Sequence, residues 1–311
     1  MKFSELAGTA IQRYGQFGDD SFECFGLTVE NGRISESRLY RFAESRRGGC
    51  IDWTDSVGSD IRRVLTVSGL DEIVRLHEIS KQMVGPEPRC KWYFSIKPNI
   101  PFEKHRTATD TLLRAFGFSD QESWMCDLET GLSKKLSPGR SPLLRLAVEV
   151  REDGTPIVLK THFSLERFTH WQNREGEKLT FQSLSDSLHE ILNEFGLSDT
   201  ARCRVTQIGE ILSDYNYYPF LLGINHSAND QECKLYFRVR RRDHPPAIIF
   251  SAQCALMSAL GGPLDIGSLN AAALQLSQLG LFAEGVAISQ RSSGESIALK
   301  AYFFPLPKVR V

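Results

Sequence analysis

Five times along the chain an alternating segment closes on a basic residue, a spacer and a ring. The segments are Arg38-Leu39-Tyr40, Lys91-Trp92-Tyr93, Lys160-Thr161-His162, Lys234-Leu235-Tyr236 and Lys300-Ala301-Tyr302. Phe94, Phe163, Phe237 and Phe303 follow at once in four of them, and Phe42 comes one residue later in the first. Residues two apart on a β-strand share a face, so each cation stands beside its ring and the apolar residues take the other face. Five copies predict one chamber lined with positive charge and ring faces.

Each motif ends the second arm of a hairpin. Phe22 to Val29 runs into Glu30-Asn31-Gly32 and then a strand ending at Phe42. Leu143 to Val150 meets Glu152-Asp153-Gly154 before Ile157 to Phe163. Phe220 to Ile224 meets a polar 225–230 loop before Cys233 to Val239, and Gly285 to Ser289 meets Ser292-Ser293-Gly294 before Ile297 to Phe304. Alternating arms around polar turns are hairpin signals. In the second copy the first arm, Ile73 to Glu78, reads equally as strand or helix, and Gly85-Pro86 supplies the turn.

Apolar residues at helical spacing fill the intervals: Phe3 to Tyr14, Ile61 to Leu70, Phe102 to Phe116, Phe181 to Phe195 and Ile266 to Leu281. The predicted fold is therefore α+β, with five helix-strand-strand units giving ten antiparallel strands closed into a barrel and the helices outside. A barrel of more than about eight strands need not be filled by its own side chains. If helices cover the outside, the Trp92, Phe94 and Ile96 face points out and the Lys91, Tyr93, Ser95 and Lys97 face points in. Buried ammonium groups are costly unless an anion neutralises them, so an inward basic cluster predicts an anionic ligand such as diphosphate. The tyrosine rings beside it suit a carbocation and exclude the water that would quench it.

Composition fits one domain spanning 1–311. The repeat runs from end to end with no low-complexity linker, 41% of residues are hydrophobic, and no apolar run approaches the roughly 20 residues of a membrane helix. Seven scattered cysteines without paired spacing suit a reducing cytoplasm and argue against a zinc site. A formal net charge of -1 weighs against nucleic acid as a partner, and the Arg238, Arg240, Arg241, Arg242 run reads as solvated loop charge. A non-catalytic barrel for a hydrophobic ligand is the rival from another class.

On these five Lys-x-Tyr hairpins the chain resembles the ABBA aromatic prenyltransferases over essentially its whole length, and its size is similar to that of the compact bacterial members. Among those, the cyanobacterial enzymes that prenylate hapalindole-type indole alkaloids look most similar, with cyanobactin peptide prenyltransferases second. The resemblance implies transfer of a dimethylallyl or geranyl group from its diphosphate to an indole-containing small molecule. A peptide side chain or a phenol is the alternative acceptor. It also implies that Glu23 accepts the indole N–H. Arg38, Lys91, Lys160, Lys234 and Lys300 would grip diphosphate, joined by Arg145. Tyr40, Tyr93, His162, Tyr236 and Tyr302 would shield the cation. His162 stands where the family has tyrosine, and Val158 where it often has arginine.

No Asp-Asp-x-x-Asp run, glycine-rich phosphate loop or Gly-x-Ser-x-Gly elbow occurs. Basic side chains would thus replace a metal in neutralising the leaving group. The expectation is no required cofactor, with Mg2+ assisting through the diphosphate oxygens. The expected protein is a cytoplasmic monomer or weak dimer.

Overall fold

The computed structural model describes residues 24–30, 33–42, 56–84, 89–97, 100–136, 141–151, 153–164, 189, 192–193, 198–215, 217–226, 231–239, 255, 281–291 and 297–305. The described residues form ten strands: β1 (Cys24–Glu30), β2 (Arg33–Phe42), β3 (Val74–Val84), β4 (Arg89–Ile96), β5 (Leu143–Arg151), β6 (Pro156–Ser164), β7 (Tyr217–His226), β8 (Gln231–Val239), β9 (Leu281–Arg291) and β10 (Ile297–Pro305). Each pairs antiparallel with the next, and β1 pairs with β10, which closes a barrel. The segment that read equally as helix or strand is β3, and it runs on to Val84.

The period of two separates the faces. Trp92, Phe94, Ile96, Leu146, Val148, Leu222, Ile224, Leu235, Phe237, Val286 and Ile288 belong to a core outside the barrel wall, which they share with helical residues such as Leu65, Leu112 and Val205. Their neighbours in sequence face the interior, where a second small cluster of Cys24, Tyr40, Tyr93 and Ala147 packs with Tyr302. Closure leaves no open sheet edge and forces the two faces into different chemistry.

Four helices are described: α1 (Ser56–Val67), α2 (Phe102–Ala115), α3 (Glu122–Leu136) and α4 (Asp199–Asp214). The α2 helix matches its predicted span, while α1 begins five residues before Ile61 and ends three before Leu70. The helices expected at 3–14 and 266–281 lie outside the described residues, except Leu281, which opens β9. Of the 181–195 helix, the described His189, Leu192 and Asn193 are helical.

The sequence reading missed α3 and α4. Buried Met125 and Leu132 on α3 alternate with buried Glu129 and Ser133, which breaks the apolar stripe. In α4, Ala201, Val205, Ile208 and Leu212 make a regular inward stripe behind a Ser198 cap, whose side chain accepts from the Ala201 N–H at 3.3 Å. Gly117, at φ 77°, ends α2 in the left-handed region, with the Phe118 N–H bonded back to the Leu113 carbonyl.

One buried contact fixes the helices to the wall of the barrel. His105 of α2 donates from Nε2 to the Leu143 carbonyl at 3.0 Å, and its Nδ1 lies 3.0 Å from Glu129 Oε1 of α3. The start of β5 is thereby tied to α2, and α2 to α3.

Candidate active site

In an antiparallel meander every second strand runs the same way. The five basic-x-ring motifs all lie on even-numbered strands, β2, β4, β6, β8 and β10, so the cations share one level of the interior and the rings the next. Two residues along a strand separate the levels by about 7 Å. Arg38, Lys91, Lys160, Lys234 and Lys300 are all buried, with Arg38 at 1% exposure. The expected inward phase of these five is the one observed.

The sequence reading did not foresee that this level carries its own counter-ions. Glu149 of β5 pairs with Arg38, lies 3.2 Å from Lys91 Nζ and 3.8 Å from Lys160 Nζ. Glu36 of β2 pairs with Arg38 and lies 3.7 Å from both Lys91 and Lys300. Glu232 of β8 lies 3.1 Å from Lys234 and accepts from the Asn225 amide. Register places these groups, since Lys91 faces Glu149 across β4 and β5 and Asn225 faces Glu232 across β7 and β8.

Compensation is partial. Burial, then the Arg38 guanidinium, pushes Lys91 well below the ordinary lysine range, against the pull of Glu149. Burial, then Lys91 and Lys234, depress Lys160, and burial, then Arg38 and Lys234, depress Lys300. Lys234 differs: burial acts downward on it too, but Glu232, Tyr236 and Glu149 outweigh that and raise it. Glu149 resists burial because Lys91, Lys160 and Arg38 hold it well below the usual carboxylate range. Several polar atoms here lack a hydrogen-bond partner: Arg38 Nη1, Thr28 Oγ1 and Ser80 Oγ. Buried donors of this kind are completed by a ligand or by water.

The ring level is a belt. Tyr40 meets Tyr302 at 5.8 Å between centroids, Tyr302 meets Tyr236 at 6.2 Å, Tyr236 meets His162 at 5.5 Å, and His162 meets Tyr93 at 5.8 Å. His162 takes its place as a neutral imidazole, held well below its ordinary value by burial, then Arg145, Lys160 and Lys234. It shares a 3.2 Å hydrogen bond with the Tyr236 hydroxyl. Burial first, with neighbouring phenols and carboxylates, raises Tyr40, Tyr93 and Tyr302, and it takes Tyr236 to about 12, so the four phenols stay neutral at physiological pH. These ring faces already hold a cation: Lys300 Nζ lies 5.5 Å from the Tyr40 centroid and 5.8 Å from that of Tyr302. Room for the belt comes from glycines on adjoining strands. A Cβ at Gly26 would sit 2.9 Å from Tyr40 Cε2, and one at Gly223 2.9 Å from Tyr236 Cε2.

Strand β3 crosses the interval between Tyr40 and Tyr93, with Ser80 opposite Tyr40 and Glu78 opposite Tyr93. Glu78 is buried, and burial pushes its carboxyl up to about 7 although Arg145, Lys300 and Lys91 pull it down. Sequence reasoning missed it for a local reason. Val74 and Leu76 pack in the outer core, and a register shift between Leu76 and Glu78 turns the strand over, so residues of one parity change face. The same device acts on β5, where a shift between Leu143 and Arg145 separates an outward Leu143 from Arg145.

Arg145, expected among the diphosphate-binding groups, lies opposite Ser95 and His162, past Ala147 from Glu149 and therefore at ring level. Burial lowers its pKa, and Glu78 is the first group that opposes this. Glu23, expected to anchor an indole N–H, lies outside the described residues; the first described residue of β1, Cys24, packs on Tyr40 and Tyr93.

No protein-family profile matches the chain, and no curated protein matches it. Solved structures do. The 5-dimethylallyltryptophan synthase from Streptomyces coelicolor aligns with a TM-score of 0.54 and 14% identity over 93% of this chain and 82% of that one. AnaPT from Neosartorya fischeri aligns at 0.56 and 14% over 93% and 80%. PriB, solved as a binary complex with product diphosphate, aligns at 0.56 and 12% over 94% and 84%. At these identities the likeness is one of fold: this chain is built on the barrel of the solved prenyltransferases.

Proposed function

We propose that the barrel is an aromatic prenyltransferase with an allylic diphosphate donor and an indole-type acceptor. The observation that carries this reading is the stacking of the two levels, a buried cation cage about 7 Å along the strands from a belt of five rings. A fold shared by unrelated proteins does not fix an activity, so the site itself must carry the assignment. Two structural neighbours support it through what they hold: the Streptomyces synthase was solved with DMASPP and Trp, and PriB with L-tryptophan and dimethylallyl thiolodiphosphate.

In the proposed reaction the allylic C–O bond breaks and its electron pair leaves with the diphosphate. Arg38, Lys91, Lys160, Lys234 and Lys300 neutralise the growing charge in a site that excludes water. The carbocation rests on the faces of Tyr40, Tyr93, Tyr236 and Tyr302, with neutral His162 closing the belt. A carbon of the acceptor ring forms the new C–C bond, and the proton on that carbon then passes to a base. Glu78 stands beside the belt with a pKa near 7, so its carboxylate takes that proton and returns it to solvent. Arg145 at the same level faces the acceptor, not the donor. Glu23 keeps the N–H role that the resemblance gives it.

The finer reading is a compact enzyme of the hapalindole-type subgroup, one domain over 1–311 with five complete helix-strand-strand repeats, and a monomer or weak dimer. Mg2+ is not required and assists through the diphosphate oxygens. The deciding experiment incubates the protein with dimethylallyl or geranyl diphosphate and a panel of indoles, followed by mass spectrometry. A gain of one prenyl group on an indole is the expected result. A donor that stays intact with every acceptor would make the protein a binding barrel.

A further inference from the structure

Glu149 and Glu36 are each shared by three cations of the cage. One carboxylate on β5 serves Arg38 of β2, Lys91 of β4 and Lys160 of β6, so it links three of the five strands that supply cations. It is buried, and Glu36 closes the other side of the same cage through Arg38, Lys91 and Lys300. Carboxylate oxygens placed among converging N–H donors occupy the positions that phosphate oxygens would take. The cage is not fully satisfied by them, since Arg38 Nη1 and the neighbouring Thr28 Oγ1 and Ser80 Oγ lack hydrogen-bond partners.

We propose that Glu149, with Glu36, is an internal counter-ion that holds the cage closed in place of diphosphate and weakens the grip on it. The inference rests on the prenyltransferase reading for its ligand and adds a residue that sets how tightly the leaving group is kept. Without a counter-ion, the empty cage would bury mutually repelling cations. With a fixed one, the donor arrives at a site of reduced positive charge, and the released diphosphate faces a built-in competitor. Glu149 is therefore a positioning residue: it acts on the diphosphate through Arg38, Lys91 and Lys160 and touches no reacting carbon.

The sign of one measurement separates this role from a structural one. If Glu149 merely aligned the cations, its loss would weaken anion binding. As a counter-ion, its neutralisation strengthens binding. Isothermal titration of the full chain with inorganic diphosphate should give a Kd at least about tenfold lower for Glu149→Gln than for the parent, the scale of one charge acting over a few ångström inside a protein. Glu149→Asp should keep parent-like affinity. In steady state, Glu149→Gln should lower the donor KM and also lower kcat where diphosphate release limits turnover. Should that variant fail to fold, Glu36→Gln carries the same test, because Glu36 shares two of the same cations.

A parent that binds diphosphate, with a Kd unchanged or higher in the Gln variant that folds, overturns the counter-ion role and leaves the prenyltransferase reading standing. Binding by the variants and not by the parent supports the role at its strongest. No binding by parent or variants overturns both.

Discussion

The two levels of the barrel interior stand next to each other on the same strands, yet they are stabilised in opposite ways. At the cation level, compensation is electrostatic: Glu36, Glu149 and Glu232 are set between Arg38 and the four lysines. At the ring level, compensation is by packing, with Tyr40, Tyr302, Tyr236, His162 and Tyr93 in edge and tilted contact and glycines making room. A period of two residues is enough to separate a site for a leaving anion from a site for the cation it leaves behind. The exception marks the joint: Glu78 is a carboxyl at the ring level, where its charge is poorly compensated and its pKa rises to about 7.

The largest effect should come from breaking the cation level alone. Alanine at Lys91, Lys160, Lys234 or Arg38 should lower turnover by roughly two to three orders of magnitude, the scale of removing one donor to a developing anion. Single-turnover transfer assays check it, with circular dichroism to confirm folding. Full activity in all four variants would show that the cage does not hold the leaving group.

A second test sharpens the contrast through stability. A glutamate whose pKa rises from 4.5 in the unfolded chain to about 7 in the folded one binds more protons when folded. Its contribution is fully present below about 4.5 and is lost as pH rises through 7. Glu78→Gln should therefore stabilise the fold by about 3 kcal/mol at pH 8 and by much less at pH 5. Denaturant melts at the two values check this, and equal gains at both would remove Glu78 from the low-dielectric interior. Activity should move the other way, with Gln at this position slowing proton removal.

The reason Glu78 escaped sequence reading also shows what a sequence of this kind reveals. The hairpins, the inward phase of Lys91, Tyr93, Lys160 and Lys234, and the outward phase of Trp92 and Phe94 follow from a period of two that β4, β6 and β8 keep through their motifs. Glu36 and Glu232 obey the same rule, each two residues before its cation, and that signal was present but unused. Glu149 meets Lys91 only through the pairing of β4 with β5, which no local pattern encodes. Register shifts beside Glu78 and Arg145 reverse parity, so alternation alone cannot place residues on both sides of them. Among the outer helices, α3 was lost where Glu129 interrupts its apolar stripe, whereas α4 keeps a regular stripe of Ala201, Val205, Ile208 and Leu212 that was present but unused.

The smallest of the three effects concerns the belt. Tyr93→Ala or Tyr236→Ala should raise the share of donor lost as prenyl alcohol several-fold, because water reaches the cation. The corresponding Phe variants, which keep the ring face, should change it little. Product and alcohol quantified from one reaction give the ratio directly, and an unchanged ratio in both alanine variants would leave the rings a packing role only.

The central claim is that the cation level holds the diphosphate and the ring level holds the prenyl group. A crystal structure with dimethylallyl thiolodiphosphate, which resists ionisation, tests it most directly. The account predicts diphosphate oxygens within hydrogen-bond distance of Arg38, Lys91, Lys160, Lys234 and Lys300, and the dimethylallyl carbons on Tyr40, Tyr93, Tyr236 and Tyr302. A diphosphate bound at Arg145 or outside the barrel, with the prenyl chain away from the belt, would contradict it.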